Sequence, residues 1–169
     1  NLRFQGTITL EGKTLNSDDI RKCRGNTFSY VPQGVQALNP LLSIEKHLRR
    51  ACQLSGQQWN AGKIERLLQR SRLESRVLDA FPRQLSGGMA KRVLACHASL
   101  SQARYILADE ITAWLDAPLA NQLLEQLRGL CEQGAGVLWV THDLTLAAQH
   151  ADRIVALYQG SVSDNVSRE

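Results

Sequence analysis

Tyr105-Ile106-Leu107-Ala108-Asp109-Glu110 is a short apolar run that ends in two adjacent acids. A run of this length between polar residues reads as a buried strand. Its ending puts carboxylates at the rim of a sheet. One acid there can hold Mg²⁺, usually through water, and a second beside it can polarise an attacking water. Taken alone, the pair is equally well read as two solvated acids at a strand end.

Working outward, the same pattern recurs on both sides. Residues 28–31 read as a strand that stops at Pro32-Gln33. Residues 137–140 form another apolar run, followed by Thr141-His142-Asp143, and 154–158 a last strand before Gly160. Helical spacing fills the intervals at 89–100, 119–131 and 144–149. Short buried strands alternating with helices imply a parallel sheet covered on both faces. In such sheets functional groups collect just past the carboxyl ends of strands. Gln33, Asp109, Glu110 and His142 all occupy such positions.

Residues 43–80 contain no strand signal. Ile44, Leu48, Ala51 and Cys52 share one helix face, Ile64, Leu67 and Leu68 begin another, and the polar stretch 55–62 breaks the two. The reading is a small helical insertion. Near the start, 7–10 alternate polar and apolar, and Glu11-Gly12-Lys13 closes like a turn, so a hairpin or edge strand is expected there.

Leu85-Ser86-Gly87-Gly88-Met89 stands at the head of the 89–100 helix. Two glycines let backbone approach a ligand closely. The first N–H groups of the helix and its positive dipole end face the same point. Ser86 adds a hydroxyl donor. The set suits a terminal phosphate; the blander reading is a helix cap with a flexible entry. His142 could donate to a phosphate or position a water, or be a surface histidine. Gln33 could reach a metal or a water, or do neither. Asp116 reads first as a helix N-cap.

Composition excludes little. The chain has 169 residues, 43% hydrophobic and 5% aromatic, with a formal net charge of +4 and an isoelectric point near 9.1. That is enough for one domain with a core. Few aromatics argue against a nucleic-acid surface of stacked rings. The mild basicity suits an anionic ligand or the inner face of a membrane, or merely a solvated surface. Cys23, Cys52, Cys96 and Cys131 show no C-x-x-C spacing and are expected as free thiols. No run of ~18 apolar residues suggests a membrane span, and no secretory leader is visible. Asn1 is not a Met, and residues 1–5 are uncertain as native sequence.

In order along the chain, Gln33, the LSGGM pentapeptide, the strand ending in Asp109-Glu110, Asp116 and His142 resemble the ABC ATPase family. There they correspond to the Q-loop, the signature motif, Walker B with its catalytic glutamate, the D-loop and the H-loop. The resemblance covers about residues 6–160. Val31-Pro32-Gln33 with Leu38-Asn39-Pro40, Phe81-Pro82, Thr141-His142-Asp143-Leu144 and Ala151-Asp152-Arg153 look like the peptide and nickel importer branch.

The resemblance implies an α/β, P-loop NTPase-like parallel sheet with flanking helices. Over residues 1–169 it implies a partial ABC ATPase domain, with a helical subdomain at about 43–100 and a RecA-like core elsewhere. Catalysis would fall to Glu110 as general base and His142 at the γ-phosphate. Nucleotide contacts would come from Gln33, Leu85, Ser86, Gly87, Gly88, Asp109 and Asp116, and Mg²⁺ would lie on Asp109 and Gln33. ATP and Mg²⁺ are the implied cofactors. The implied partners are a second ABC ATPase subunit, transmembrane permease subunits and, indirectly, a solute-binding protein, with no nucleic acid. The implied place is the cytoplasmic face of the inner membrane, and the cargo a peptide, nickel or a chelated metal. A non-transport ABC ATPase and a non-hydrolysing partner subunit are the alternatives.

Two positions depart from the family pattern. Ile111-Thr112 stands where Pro-Thr is usual after the glutamate, and Trp114 replaces a small residue before Leu115-Asp116. The family also has a Walker A loop, G-x-x-x-x-G-K-S/T. Gly12-Lys13-Thr14 imitates its end, but five residues separate Gly6 from Gly12, and they alternate like a strand. The triplet reads as a turn after that loop. The expectations are a chain truncated before or at the Walker A region, an inactive fragment on its own, and apolar surface exposed where a strand and helix would pack.

Overall fold

The computed structural model describes residues 6–167. The chain opens with a hairpin of β1 (Thr9–Leu10) and β2 (Lys13–Thr14). Its two linking residues, Glu11 and Gly12, have φ of 51° and 79°. Two left-handed residues in succession give the tight turn that matches the twist of paired strands. Lys13 and Thr14 thus lie in a strand, and Gly12-Lys13-Thr14 is part of a hairpin. Helix α1 (Ser17–Cys23) follows and buries no residue. Apolar spacing therefore does not reveal it. Its signal is a capping box: Asn16 Oδ1 accepts from the Asp19 N–H at 2.9 Å, and Asp19 Oδ2 accepts from the Asn16 N–H at 3.3 Å.

Strand β3 (Phe28–Val31) leads to helices α2 (Ile44–Leu54) and α3 (Ala61–Arg70), capped by Ser43 and Asn60. The expected stripes are buried, Ile44, Leu48, Ala51 and Cys52 on α2 and Ile64 and Leu68 on α3, with Leu67 only partly so; His47 is buried on α2 beside them. Helix α4 (Gly87–Ser101) is different: its buried residues run almost all round it, as befits a helix in the middle of a core. It packs on α2, on β3 and on α5 (Ala117–Glu132). Between α4 and α5 lies β4 (Tyr105–Asp109), and after α5 comes β5 (Gly136–Val140). Helix α6 (Leu144–His150) and strands β6 (Arg153–Tyr158) and β7 (Ser161–Ser167) complete the described chain.

The central sheet is parallel, in the order β3-β4-β5. Val31 is level with Ala108, and Ala108 with Trp139. All three strands therefore release the chain at one edge. One face is covered: Val31, Ile106 and Ala108 are buried in a cluster that also takes in residues of α2, α3, α4 and α5.

Helices on both faces were the expectation, and it is met on one face only. On the other, Tyr30, Leu138 and Val140 are 59%, 63% and 54% exposed. The register puts Tyr30, Leu107 and Leu138 side by side there, so this face carries an exposed apolar row. A second correction concerns β6. It joins an antiparallel hairpin with β7, not the parallel sheet. Gln159 and Gly160 between them again have positive φ, 47° and 80°, and that turn reverses the chain. Among the described residues, no helix is long and apolar enough to cross a membrane.

Candidate functional site

Strand β4 delivers Asp109 and Glu110 to the releasing edge of the sheet. The Glu110 N–H donates to the Val140 carbonyl at 2.9 Å, which carries the ladder one residue past the strand. The backbone then turns sharply. Glu110 has φ of 48° and Trp114 of 66°, a conformation that costs a non-glycine residue roughly 1–3 kcal/mol and persists only where its surroundings enforce it. The turn is closed by Ala113 N–H to Glu110 carbonyl and Leu115 N–H to Thr112 carbonyl, both 3.1 Å. Ile111 and Thr112 are buried beneath it, whereas Trp114 is 96% exposed.

The Glu110 side chain lies between protein and solvent. Its Oε1 is 2.8 Å from His142 Nδ1. Its Oε2 is buried with no partner among the described residues. A buried carboxylate oxygen without a donor is costly, so it marks a place where a ligand or water belongs. His142 follows β5 and is otherwise largely exposed. The hydrogen bond to Glu110, and then its negative charge, hold the imidazole's pKa above the usual value. The folded state thus favours the protonated ring. The stabilisation from this pair is fully present below the imidazole's ordinary pKa of 6.5 and is lost as pH rises through the raised one.

Asp109 accepts a hydrogen bond on Oδ2 from the Tyr30 hydroxyl at 3.1 Å. Burial first, then this bond and the carboxylate charge, raise the phenol's pKa. Gln33 leaves the same sheet edge two residues past β3 and is exposed.

The glycine-rich segment heads α4. Leu85 precedes it, partly buried against the core. Ser86 is the N-cap, with its Oγ accepting from the Met89 N–H at 3.2 Å. Replacing Ser86 with Ala should cost about 1 kcal/mol, read from the urea midpoint; a change below a few tenths would show that the cap is idle. A Cβ on Gly87 would meet nothing within 4 Å, so that surface is open. A Cβ on Gly88 would come 3.1 Å from Leu115 Cδ2. Gly88 is therefore where α4 touches the turn that begins at Glu110. Asp116 ends that turn and caps α5, accepting from the Leu119 N–H at 3.2 Å.

The structure thus brings Asp109, Glu110 and His142 together at one edge, with Gln33 leaving from it. It joins the Ser86-Gly87-Gly88 segment to them through Leu115. Two contributors escape a sequence reading. Tyr30 looks like an ordinary strand residue, and only pairing with β4 shows what its hydroxyl meets. Lys91 sits inside an apolar helix, 6% exposed, and donates to the Glu110 carbonyl at 3.0 Å and to that of Ala113. A lysine among Met89, Ala90, Val93 and Leu94 is the one signal available. The four cysteines are free thiols; burial pushes that of Cys96 up to about 11.

Comparison with known proteins bears on the family of the chain. The chain is 32% identical over 175 residues to the oligopeptide transport ATP-binding protein AppD of Bacillus subtilis, covering 97% of this chain and 53% of that protein. It is 30% identical over 169 residues to the dipeptide transport ATP-binding protein DppD of Caldanaerobacter subterraneus subsp. tengcongensis, covering 94% and 52%. The chain spans about half the length of the curated relatives it matches. Among solved structures, a dimeric ATP-binding cassette in a post-hydrolysis state bound to ADP and Pi superposes with a TM-score of 0.81 at 27% identity, over 96% of this chain and 73% of that one. An ATP-binding subunit of an ABC transporter superposes at 0.80 with 31% identity, over 96% and 67%. The ABC transporter family matches residues 3–113. With an α/β fold that superposes on ATP-binding cassettes and a family match over most of its length, this chain belongs to the ABC transporter family.

Proposed function

We propose that the complete protein hydrolyses ATP to drive peptide uptake through a membrane permease. The observation that carries the reading is the Glu110–His142 pair, with a buried, unpartnered Glu110 Oε2 beside it. Among the described residues no cluster of three acids or histidines would hold a metal by itself, which suits a Mg²⁺ that would be held by few protein groups with water and nucleotide oxygens. Asp109 gives one oxygen to Tyr30 and keeps the other for a hydrated cation, with Gln33 nearby at the same edge. Held there, Mg²⁺ would supply neutralisation of phosphate charge. Glu110 Oε2 accepts a proton from the attacking water, and His142 donates through its Nε2 toward the terminal phosphate while Nδ1 faces Glu110. Ser86, Gly87 and Gly88 present N–H groups to the triphosphate of a second cassette. Asp116 faces that cassette across the interface, and Leu85 backs the segment.

In this reading residues 43–100 form a helical subdomain that meets the permease at the cytoplasmic face of the membrane. The peptide class follows the named relatives, one an oligopeptide and one a dipeptide transport protein. The test is uptake by proteoliposomes containing the complete protein, its partner cassette and the permease. ATP-dependent accumulation of a labelled short peptide, stimulated by the binding protein, is expected. ATP hydrolysis that no peptide or nickel chelate stimulates would instead favour a non-transport ATPase. Absence of hydrolysis with every partner would favour a non-hydrolysing subunit.

A further inference from the structure

We infer that Lys91 is a positioning residue for Glu110, tying the orientation of its carboxylate to helix α4. The inference rests on the reading of Glu110 as the base. Lys91 commits two of its three ammonium donors in an unusual way. Its ammonium is nearly buried, and its two hydrogen-bond partners are main-chain oxygens, those of Glu110 and Ala113. No carboxylate lies within ion-pair distance of it among the described residues. Burial lowers its pKa, and the Glu110 charge offsets part of that.

Burying a cation is costly unless its donors are satisfied, and here they are spent on the backbone of one turn. Here the two carbonyls bracket the turn in which Glu110 and Trp114 adopt positive φ. The Glu110 carbonyl also accepts from the Ala113 N–H, so Lys91 fills its second lone pair. Five residues earlier on the same helix, Ser86 is the cap, and Gly88 abuts Leu115 at the far end of the turn. Helix α4 therefore grips the turn at both ends. A displacement of the Ser86-Gly87-Gly88 segment moves Glu110 with it, and one rigid unit links the phosphate-facing helix end of this chain to its own base.

The His142 ring reports the position of the carboxylate without any need for turnover. Its titration is followed by NMR in this chain, in Lys91→Met, and in Glu110→Gln as the reference for a lost carboxylate charge. Deleting a positive charge would by itself raise a nearby imidazole pKa. Loss of positioning lowers it, because the Glu110 bond that raises it is released. The expected result for Lys91→Met is a fall of at least half the difference between the unaltered chain and Glu110→Gln. Lys91→Arg, which keeps the donors, should restore at least part of the raised value. A folded Lys91→Met with an unchanged or higher His142 pKa overturns the inference. If Met is not tolerated, Lys91→Gln is read in the same way, and loss of the fold in both assigns Lys91 to stability alone. Failure of Glu110 as a base would show separately, in the turnover of Glu110→Gln, and would leave these titrations as they are.

Discussion

Replacing Glu110 with Gln in the complete subunit is expected to lower ATP turnover by a factor on the order of 10²–10⁴ while leaving nucleotide binding in place. The amide keeps the size and one acceptor of the carboxylate, so the turn it begins has no reason to change. What it lacks is basicity at the buried Oε2 position, the atom that has no partner within the chain. The substitution also removes the charge beside His142 and lets its raised pKa fall. A single substitution therefore has two separate readouts, turnover in the complete subunit and imidazole titration in this chain. Single-turnover hydrolysis, with binding measured by calorimetry, separates them. An unaltered rate would remove Glu110 from the chemistry, whatever His142 does.

Much of what was legible in sequence carries an apolar stripe or run, the 9–14 hairpin being betrayed instead by its turn residues. Strands β3, β4 and β5 announce themselves as short apolar runs, although β5 itself has no buried residue. Helices α2 and α3 do so because Ile44, Leu48 and Ile64 recur at helical spacing and are fully buried. Helix α1 and strand β7 bury nothing, and periodicity is silent about elements that have no inside. The motif residues were legible for another reason: glycines, acids and histidine at strand and helix ends are local events. Which of them touch is not local. The Glu110–His142 contact spans 32 positions and Tyr30–Asp109 spans 79, and only strand order and register create them. Ile111 shows the same limit. Its departure from the family's usual proline is visible in sequence, but that the side chain is 1% exposed and part of the core is not. Trp114 departs outward and is 96% exposed, so any consequence it has lies at the surface.

Leu48→Ala should destabilise the chain by about 2–5 kcal/mol, a large share of the roughly 5–15 kcal/mol that holds a domain together. Leu48 is fully buried on α2, and α2 packs chiefly on α4. Truncation loses the transfer energy of the removed carbons and leaves a cavity that rigid neighbours fill only in part. Leu41→Ala is the matched control: Leu41 is 81% exposed, and its loss should stay within about 0.5 kcal/mol. Urea unfolding distinguishes more than magnitude. The buried residues of α2, α3 and α4 belong to the same cluster as Val31, Ile106 and Ala108 of the sheet. The whole should therefore unfold in one transition, with the midpoint moved and the slope unchanged. Two separate transitions, with only one displaced by Leu48→Ala, would mean that the helices fold apart from the sheet. Helix α4 would then be a hinge between two bodies, and the grip of Lys91 on Glu110 would have to act across that hinge.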